Sequence, residues 1–248
     1  SMDWVMGLAS QLYGIEFKKA DVPVWHSDVL YYDVIDKTTD KQIGGIYLDI
    51  YPREGKYGHA AAFPVQGSST LENRLPISVL VANFNRYGLD LDELETMLHE
   101  FGHVLHGVMS RTRFVEQSGT SVERDFVEAP SQMFEEWAHD YEALSTLPLY
   151  CGNSCPQIDR DMLKRLNESR RFGQGIFYSR QALYAKYDMK IYSDKPGDVM
   201  DTWVDMEGKT LQGYDQGTQF PGQFSHVVSG YSAGYYGYLW SKVLALDM

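Results

Sequence analysis

The pattern His99-Glu100-Phe101-Gly102-His103 constrains this chain more than any other feature of its sequence. Two histidines four positions apart lie on one face of an α-helix, one turn apart, so both imidazoles can reach the same ion. Imidazole nitrogen suits Zn²⁺, and a glutamate beside the first histidine can take a proton from a zinc-bound water. The pattern therefore predicts a helical zinc site with His99 and His103 as ligands and Glu100 as the base.

The residues around this pattern favour a helix. Asp90 and Glu93 have the spacing of an N-cap and its capping box. Gly102 is a poor helix former, because glycine is about 1 kcal/mol less favourable than alanine in a helix interior. We therefore expect Gly102 to leave room beside the metal or to permit a close helix contact. Apolar residues recur at helical spacing and predict a buried stripe: Leu91, Leu94, Leu98, Phe101, Leu105 and Val108.

Two histidines leave a zinc site incomplete, because a catalytic site takes three protein ligands and keeps one position open for water. His106 is the nearest candidate, but it lies about 10 Å along the helix axis from His99 at the standard rise per residue. A straight helix cannot bring both to one ion. We therefore expect His106 to be a cleft or packing residue.

The other candidates for the third ligand are acidic residues of a second helix. Asp125 lies three positions before Glu128 and shares its helix face, where it can hold a ligating imidazole from behind. Glu135 and Glu136 are interpreted as acids that merely solvate the helix surface. The full set of candidates is Glu123, Asp125, Glu128, Glu135 and Glu136.

The order of elements predicts an α+β fold, mainly α, with a small antiparallel or mixed sheet beside the metal helix, as expected of a zincin. We treat residues 1–248 as one catalytic region, with a sheet part at about 15–85 and a helical part at about 86–248. The predicted helices cover 3–14, about 90–108, a segment from the capping signature at 120–123 to about 144, one or two helices within 158–190, one from Pro196, and about 232–246; the predicted strands cover 29–35 and 43–51 as a hairpin, 59–63 and 77–83.

Composition excludes several classes of protein. The net charge of −12 disfavours a nucleic-acid partner. No run of about 18 apolar residues and no signal peptide is visible, so we expect no membrane partner and a cytoplasmic location. The two cysteines, Cys151 and Cys155, are expected to be reduced in a loop.

A resemblance becomes specific when residues 99–106 are taken together with 118–132. These segments resemble the thimet oligopeptidase/neurolysin family of zinc metallopeptidases, which includes oligopeptidase A, dipeptidyl carboxypeptidase and mitochondrial intermediate peptidase relatives. The resemblance extends upstream to residues 51–60 and downstream to His226 and residues 230–240, and so covers nearly the whole chain. In that family the glutamate of the F-x-E-x-P-S run is the third zinc ligand, which implies this role for Glu128.

The resemblance also implies roles near the carboxyl end. His226, Tyr235 and Tyr238 match family residues that contact substrate and stabilise the transition state, and Tyr231 matches a substrate-binding tyrosine of the same loop. Peptide hydrolysis forms a tetrahedral oxyanion, which needs hydrogen-bond donors. Tyr235 and Tyr238, three positions apart on the predicted last helix, would present their hydroxyls on one face.

The implied function is that of a zinc metalloendopeptidase, an oligopeptidase that hydrolyses internal bonds of short unstructured peptides with one Zn²⁺ per chain. The chain lacks the long N-terminal helical lobe of the family and stops short of its usual C-terminus, so we expect a catalytic portion truncated at both ends. Three alternatives stay open: a truncated zinc- or peptide-binding fragment without turnover, dipeptidyl carboxypeptidase action in the full-length protein, and a metal-free structural helix pair. The oligomeric state is left open.

Overall fold

The computed structural model describes residues 1–151 and 158–248. The chain forms two compact units, and each is described by itself. The first unit comprises Ser1–Val122 and Pro130–Lys164, and the second comprises Glu123–Ala129 and Arg165–Met248. The first unit holds a five-stranded sheet together with helices, whereas the described elements of the second are helical. The prediction of a mixed α+β fold is confirmed.

The bounds of the elements are as follows. The strands are β1 Ile15–Lys19, β2 Leu30–Asp36, β3 Lys41–Asp49, β4 Ala61–Gln66 and β5 Ile77–Val81. The helices are α1 Met2–Tyr13, α2 Leu91–Val108, α3 Ala129–Glu135, α4 Tyr141–Leu144, α5 Pro148–Cys151, α6 Arg160–Arg171, α7 Gln174–Ile191, α8 Val199–Gly208 and α9 Gly237–Asp247. Short 3₁₀ turns occur at Val115–Gln117, Glu136–His139, Phe220–Gly222 and Ser225–Val228.

The sheet has the order β1-β2-β3-β5-β4. β2 and β3 form the predicted antiparallel hairpin, in which Tyr31 lies opposite Tyr47. β5 pairs with β3 in parallel and with β4 antiparallel, so the sheet is mixed. β1, at the edge beside β2, was missing from the prediction, because its charged residues hide the alternation that marks a strand.

Helix α2 packs its apolar stripe against β3, β4 and β5. Its first turn has both hydrogen bonds of the predicted capping box: the Asp90 carboxylate accepts from the Glu93 amide at 2.8 Å, and the Glu93 carboxylate accepts from the Asp90 amide at 3.2 Å. Leu98, Phe101 and Val104 are fully buried beneath the helix. The sheet thus fixes which face of α2 is buried and which face presents its histidines.

The segment after α2 differs from the prediction. Residues 120–128 form turns and irregular structure, and the helix begins only at Ala129, so the capping signature at 120–123 does not start it. Pro130 falls in the first turn of α3, where its missing N–H is not required. A 3₁₀ turn at Glu136–His139 then separates α3 from α4, so the predicted single helix to about 144 is wrong.

The second unit has its own aromatic core. Trp203 and Tyr187 are fully buried at its centre, and their rings meet edge to face at 5.1 Å. Residues 158–190 contain two helices, α6 and most of α7, within the range of the prediction. Asp198 caps α8, which therefore begins at Val199 and not at Pro196. The last helix begins at Gly237, five residues later than predicted.

Two expectations from composition can be compared with the structure. Across residues 1–151 and 158–248, none of the helices combines the length and the apolar character that crossing a membrane requires. Cys151 is disulfide-bonded, so the expectation of reduced cysteines is wrong. Cys155 lies outside the described residues.

Candidate metal centre

Three predicted ligands come together in the structure. His99 and His103 lie one turn apart on α2, with ring centroids 4.9 Å apart. Glu128, only 2% exposed, directly precedes α3. Each of the three side chains offers one ligand atom, and these atoms all lie within 4.8 Å of one another. Two imidazoles and one carboxylate form a donor set suited to Zn²⁺ in a catalytic site.

A carboxylate behind His99 fixes the orientation of its ring. Nδ1 of His99 lies 2.6 Å from Oε1 of Glu135, a separation at which the ring N–H donates to the carboxylate. With Nδ1 bound to Glu135, Nε2 is the nitrogen that would ligate a metal, an arrangement found around most zinc-ligating histidines. The interpretation of Glu135 as a merely solvating acid is therefore wrong. The sequence carries no local signal for this contact, because Glu135 lies 36 residues after His99.

A second pair of the same kind lies one helical turn away. Glu95, four residues before His99, has its Oε2 3.1 Å from Nε2 of His139. The side chain of His139 is only 8% exposed. The pairing is antiparallel: the earlier residue of α2, Glu95, pairs with the later residue of the segment 135–139, and His99 pairs with the earlier one. They join the metal helix to the segment that supplies Glu135 at two successive turns.

Gly102 permits this close approach. A Cβ built at position 102 would lie 2.7 Å from Cα of Ser131 and 3.0 Å from the carbonyl oxygen of Pro130. It would also lie 3.2 Å from Cβ of Phe134. Of the two expectations for Gly102, the structure therefore shows a close helix contact.

Within the second unit, Glu128 has a tyrosine partner. The hydroxyl of Tyr231 donates to Oε1 of Glu128 at 2.5 Å. Burial, together with the Glu128 carboxylate, raises the pKa of Tyr231 to about 12. The ring of Tyr231 stacks on that of Tyr238 at 5.1 Å. The guanidinium of Arg124 lies over the ring of Tyr231, 5.0 Å from its centroid.

The predicted substrate-contacting residues form one aromatic cluster in the second unit. The ring of His226 lies 5.7 Å from that of Tyr231, 5.3 Å from that of Tyr235 and 5.8 Å from that of Tyr238. Burial and then the Glu128 carboxylate raise the pKa of Tyr238 far above its ordinary value. These phenols therefore remain protonated hydrogen-bond donors at neutral pH.

Tyr235 and Tyr238 do not share a helix as predicted. Tyr235 lies in a turn before α9, and Tyr238 lies in the first turn of that helix. Tyr235 is 8% exposed, and its hydroxyl donates to Oε1 of Gln181 at 2.9 Å. Burial raises its pKa to about 12. The hydroxyl of Tyr235 is thus held inside the protein.

Three other predicted residues lie as follows. The carboxylate of Asp125 accepts from the hydroxyl of Tyr236 at 3.1 Å, and its support of a ligating imidazole stays a prediction. His106 lines a cavity of about 380 Å³ with Tyr13, and burial lowers its pKa. This placement agrees with a cleft residue. Glu100 is half-buried on α2 beside His99, and its role stays a prediction.

Comparison with known proteins agrees with these features. The sequence profile of peptidase family M3 matches residues 2–248. A thimet-like oligopeptidase from Dictyostelium discoideum is 34% identical over 253 residues, covering 94% of this chain and 37% of that protein. Oligopeptidase A from Escherichia coli is 32% identical over 257 residues (97% and 38%), and dipeptidyl carboxypeptidase from Escherichia coli is 31% identical over 257 residues (98% and 37%).

This chain spans little more than a third of the length of these relatives. The match nevertheless runs from residue 2 to residue 248 and so includes the metal helix, Glu128 and the aromatic cluster. The resemblance to the thimet oligopeptidase/neurolysin family is confirmed. The chain belongs to peptidase family M3, a family of zinc metallopeptidases.

Proposed function

We propose that this chain carries the zinc centre of a zincin-like metallopeptidase that hydrolyses internal bonds of short peptides. The observation that carries the proposal is the convergence of one ligand atom each from His99, His103 and Glu128 within 4.8 Å. The carboxylate of Glu135 behind His99 supports it, because a purely structural helix pair does not need an oriented imidazole.

The donor set fits one Zn²⁺. His99, through Nε2, would hold the metal together with His103 and Glu128. Three protein ligands leave a position for water and substrate, which is the pattern of catalytic rather than structural zinc sites. When bound, the metal supplies a Lewis acid that lowers the pKa of a water molecule and polarises the scissile carbonyl.

Glu100 is the proposed general base. It follows His99 on α2, and its carboxylate accepts a proton from the attacking water as the new C–O bond forms. The same carboxyl group then delivers that proton to the nitrogen of the leaving amine as the C–N bond breaks. One carboxylate thus transfers one proton, and water is consumed without any other co-reactant.

Tyr238 and His226 are the proposed donors to the oxyanion. Both belong to the aromatic cluster that also contains Tyr231, whose hydroxyl reaches Glu128. The raised pKa of Tyr238 keeps its phenol protonated, as a donor requires. Tyr235 is a weaker candidate for an oxyanion donor than the sequence implied, because its hydroxyl already donates a hydrogen bond to Oε1 of Gln181. We assign its buried ring a packing role beside His226.

The proposed substrates are short unstructured peptides, in keeping with the names of two of the relatives, which are oligopeptidases. Release of carboxyl-terminal dipeptides is the second candidate, because another relative of similar identity is named a dipeptidyl carboxypeptidase. Mass spectrometry of digests separates the two: cleavage at internal bonds gives several fragment lengths, whereas the second activity gives dipeptides from one end.

The test is hydrolysis of a quenched fluorescent peptide with and without a chelator. Glu100→Gln should keep one zinc per chain and lower kcat by about 100-fold or more, since it removes the general base. Glu72→Gln, the same change at an exposed pair with Arg74, is the control and should leave kcat unchanged. A Glu100→Gln variant with near-normal turnover would contradict the assigned role. Wild-type chain that binds zinc without chelator-sensitive turnover would identify a binding fragment instead.

A further inference from the structure

We propose that helix α7 positions the tyrosine turn, residues 229–236, through the buried carboxylate of Asp188, with Gln181 as a second anchor. Asp188 is fully buried. Its Oδ1 accepts from the amide of Ala233 at 2.9 Å, and its Oδ2 accepts from the amide of Tyr235 at 3.0 Å. A buried carboxylate whose two oxygens both accept main-chain N–H groups of one turn fixes that turn at two points.

Gln181 holds the side chain of the same turn. Its Oε1 accepts the hydroxyl of Tyr235 at 2.9 Å. Gln181 lies seven residues before Asp188 on α7, which is close to two full helical turns, so both side chains leave the helix on one face. Tyr235 is therefore held by its amide and by its hydroxyl, both through the same rigid helix.

The turn needs such support because its backbone is unusual. Ala233 has a φ of +53°, a left-handed conformation that residues with a Cβ adopt at a cost. α9 begins only at Gly237, so these residues lack the hydrogen-bond ladder of a helix. Within the turn, the amide of Gly234 donates to the carbonyl of Tyr231 at 2.8 Å. The hydrogen bond from the amide of Ala233 to the carboxylate of Asp188 compensates for the cost of this left-handed conformation.

The turn carries tyrosines of the aromatic cluster and is followed closely by another. Tyr231 belongs to the turn and donates to Glu128, while Tyr238 follows it and stacks on Tyr231. We therefore infer that Asp188 is a positioning residue, which acts on hydrolysis through Tyr231 and Tyr238. This catalytic consequence rests on the proposed function; the structural role does not.

Asp188→Asn is the direct test. Asparagine has one acceptor oxygen where aspartate has two, and its NH₂ group would face a main-chain N–H. The control is Glu207→Gln, which alters another buried carboxylate of the second unit that pairs with Arg180 and not with the turn. Both variants are compared with wild type for kcat, KM, zinc content and amide hydrogen exchange in peptides covering 229–238.

We expect Asp188→Asn to lower kcat at least ten-fold, to change KM less than three-fold and to keep one zinc per chain. Amide exchange in residues 229–238 should accelerate at least ten-fold, while exchange in the metal helix stays unchanged. Glu207→Gln should show neither effect. In a Tyr238→Phe background, Asp188→Asn should lower kcat less than three-fold further. The hydroxyl of Tyr238, through which Asp188 acts on hydrolysis, is already absent from that variant.

Unchanged exchange in residues 229–238 of Asp188→Asn would overturn the proposal, whether or not the chain turns over peptide. So would a fall in kcat that Glu207→Gln reproduces. Absence of chelator-sensitive turnover in wild type would refute the proposed function alone, since the exchange result still decides whether Asp188 holds the turn. Should Asp188→Asn fail to fold, Gln181→Leu gives the answer: faster exchange around Tyr235 supports the proposal, and unchanged exchange overturns it.

Discussion

Replacing Gly102 by alanine tests how closely α2 and α3 must approach for the metal centre to form. The added Cβ would lie 2.7 Å from Cα of Ser131 and 3.0 Å from the carbonyl oxygen of Pro130. Carbon atoms pack best at about 3.5–4.0 Å. Both obstacles are main-chain atoms, so no rotation of a side chain can relieve them. The two helices would have to move apart by roughly 1 Å, judged from that packing distance.

The expected cost follows from two opposing effects. Overpacking of this kind costs about 1–3 kcal/mol, and a clash with backbone belongs at the upper end. Alanine returns about 1 kcal/mol through its better helix propensity. We therefore expect Gly102→Ala to lower the free energy of unfolding by about 2 kcal/mol. For a chain of this size the corresponding fall in Tm is roughly 4–8 °C.

The assay is urea and thermal unfolding of wild type and Gly102→Ala, followed by competition for zinc with a chelator. Gly175→Ala is the matched control, because a Cβ at this helical position would meet nothing within 4 Å. It should stabilise the chain by up to about 1 kcal/mol. Gly102→Ala should also bind zinc more weakly, since the Glu135–His99 pair spans the same contact. A Gly102→Ala protein as stable as wild type would refute the reasoning.

Two further changes test the support of the site and of the sheet. Glu135→Gln should weaken zinc binding about 10- to 100-fold, because His99 loses the carboxylate that orients its ring. Competition with a chelator measures the affinity. A zinc affinity equal to that of wild type would show that Glu135 does not support the metal centre. Burial alone would raise the pKa of Asp49, but hydrogen bonds from Arg53, Lys56 and Trp25 outweigh it and hold that pKa well below its usual range. Asp49→Asn should cost about 3–5 kcal/mol at pH 7, because it leaves Lys56 buried without its counter-charge. A carboxyl group with a depressed pKa stabilises the fold at pH values above its ordinary pKa near 4. The difference in unfolding free energy between wild type and Asp49→Asn should therefore shrink as the pH falls below about 4. Urea unfolding at pH 7, 5 and 3 measures it, and a constant difference would contradict the assignment.

Much of the metal helix was predictable because its signals are local. The capping box of Asp90 and Glu93, the apolar stripe and the spacing of His99 and His103 all lie within 19 residues. Such interactions depend on helical geometry alone, which the sequence specifies directly. The hairpin of β2 and β3 was predictable for the same reason, since a short turn brings neighbouring strands together.

Other starts of helices were misplaced because local signals competed with tertiary ones. The capping signature at 120–123 is a good helix start by composition, yet the chain turns until Ala129. The last helix likewise waits until Gly237, while the preceding residues follow a turn whose amides bind Asp188. Both segments carry residues of the proposed chemistry, where local preference gives way to the geometry of the site.

The sequence by itself determined the donor pair on α2, its capped start and, through resemblance to a family, the identity of Glu128 as the third ligand. Only the tertiary structure decided that Glu135 holds His99 and that Asp188 holds the tyrosine turn. These partners stand 36 and about 45 residues apart along the chain. No local pattern encodes such a pairing, because it depends on how helices pack: on a glycine that admits close contact in one unit and on a buried helix face in the other.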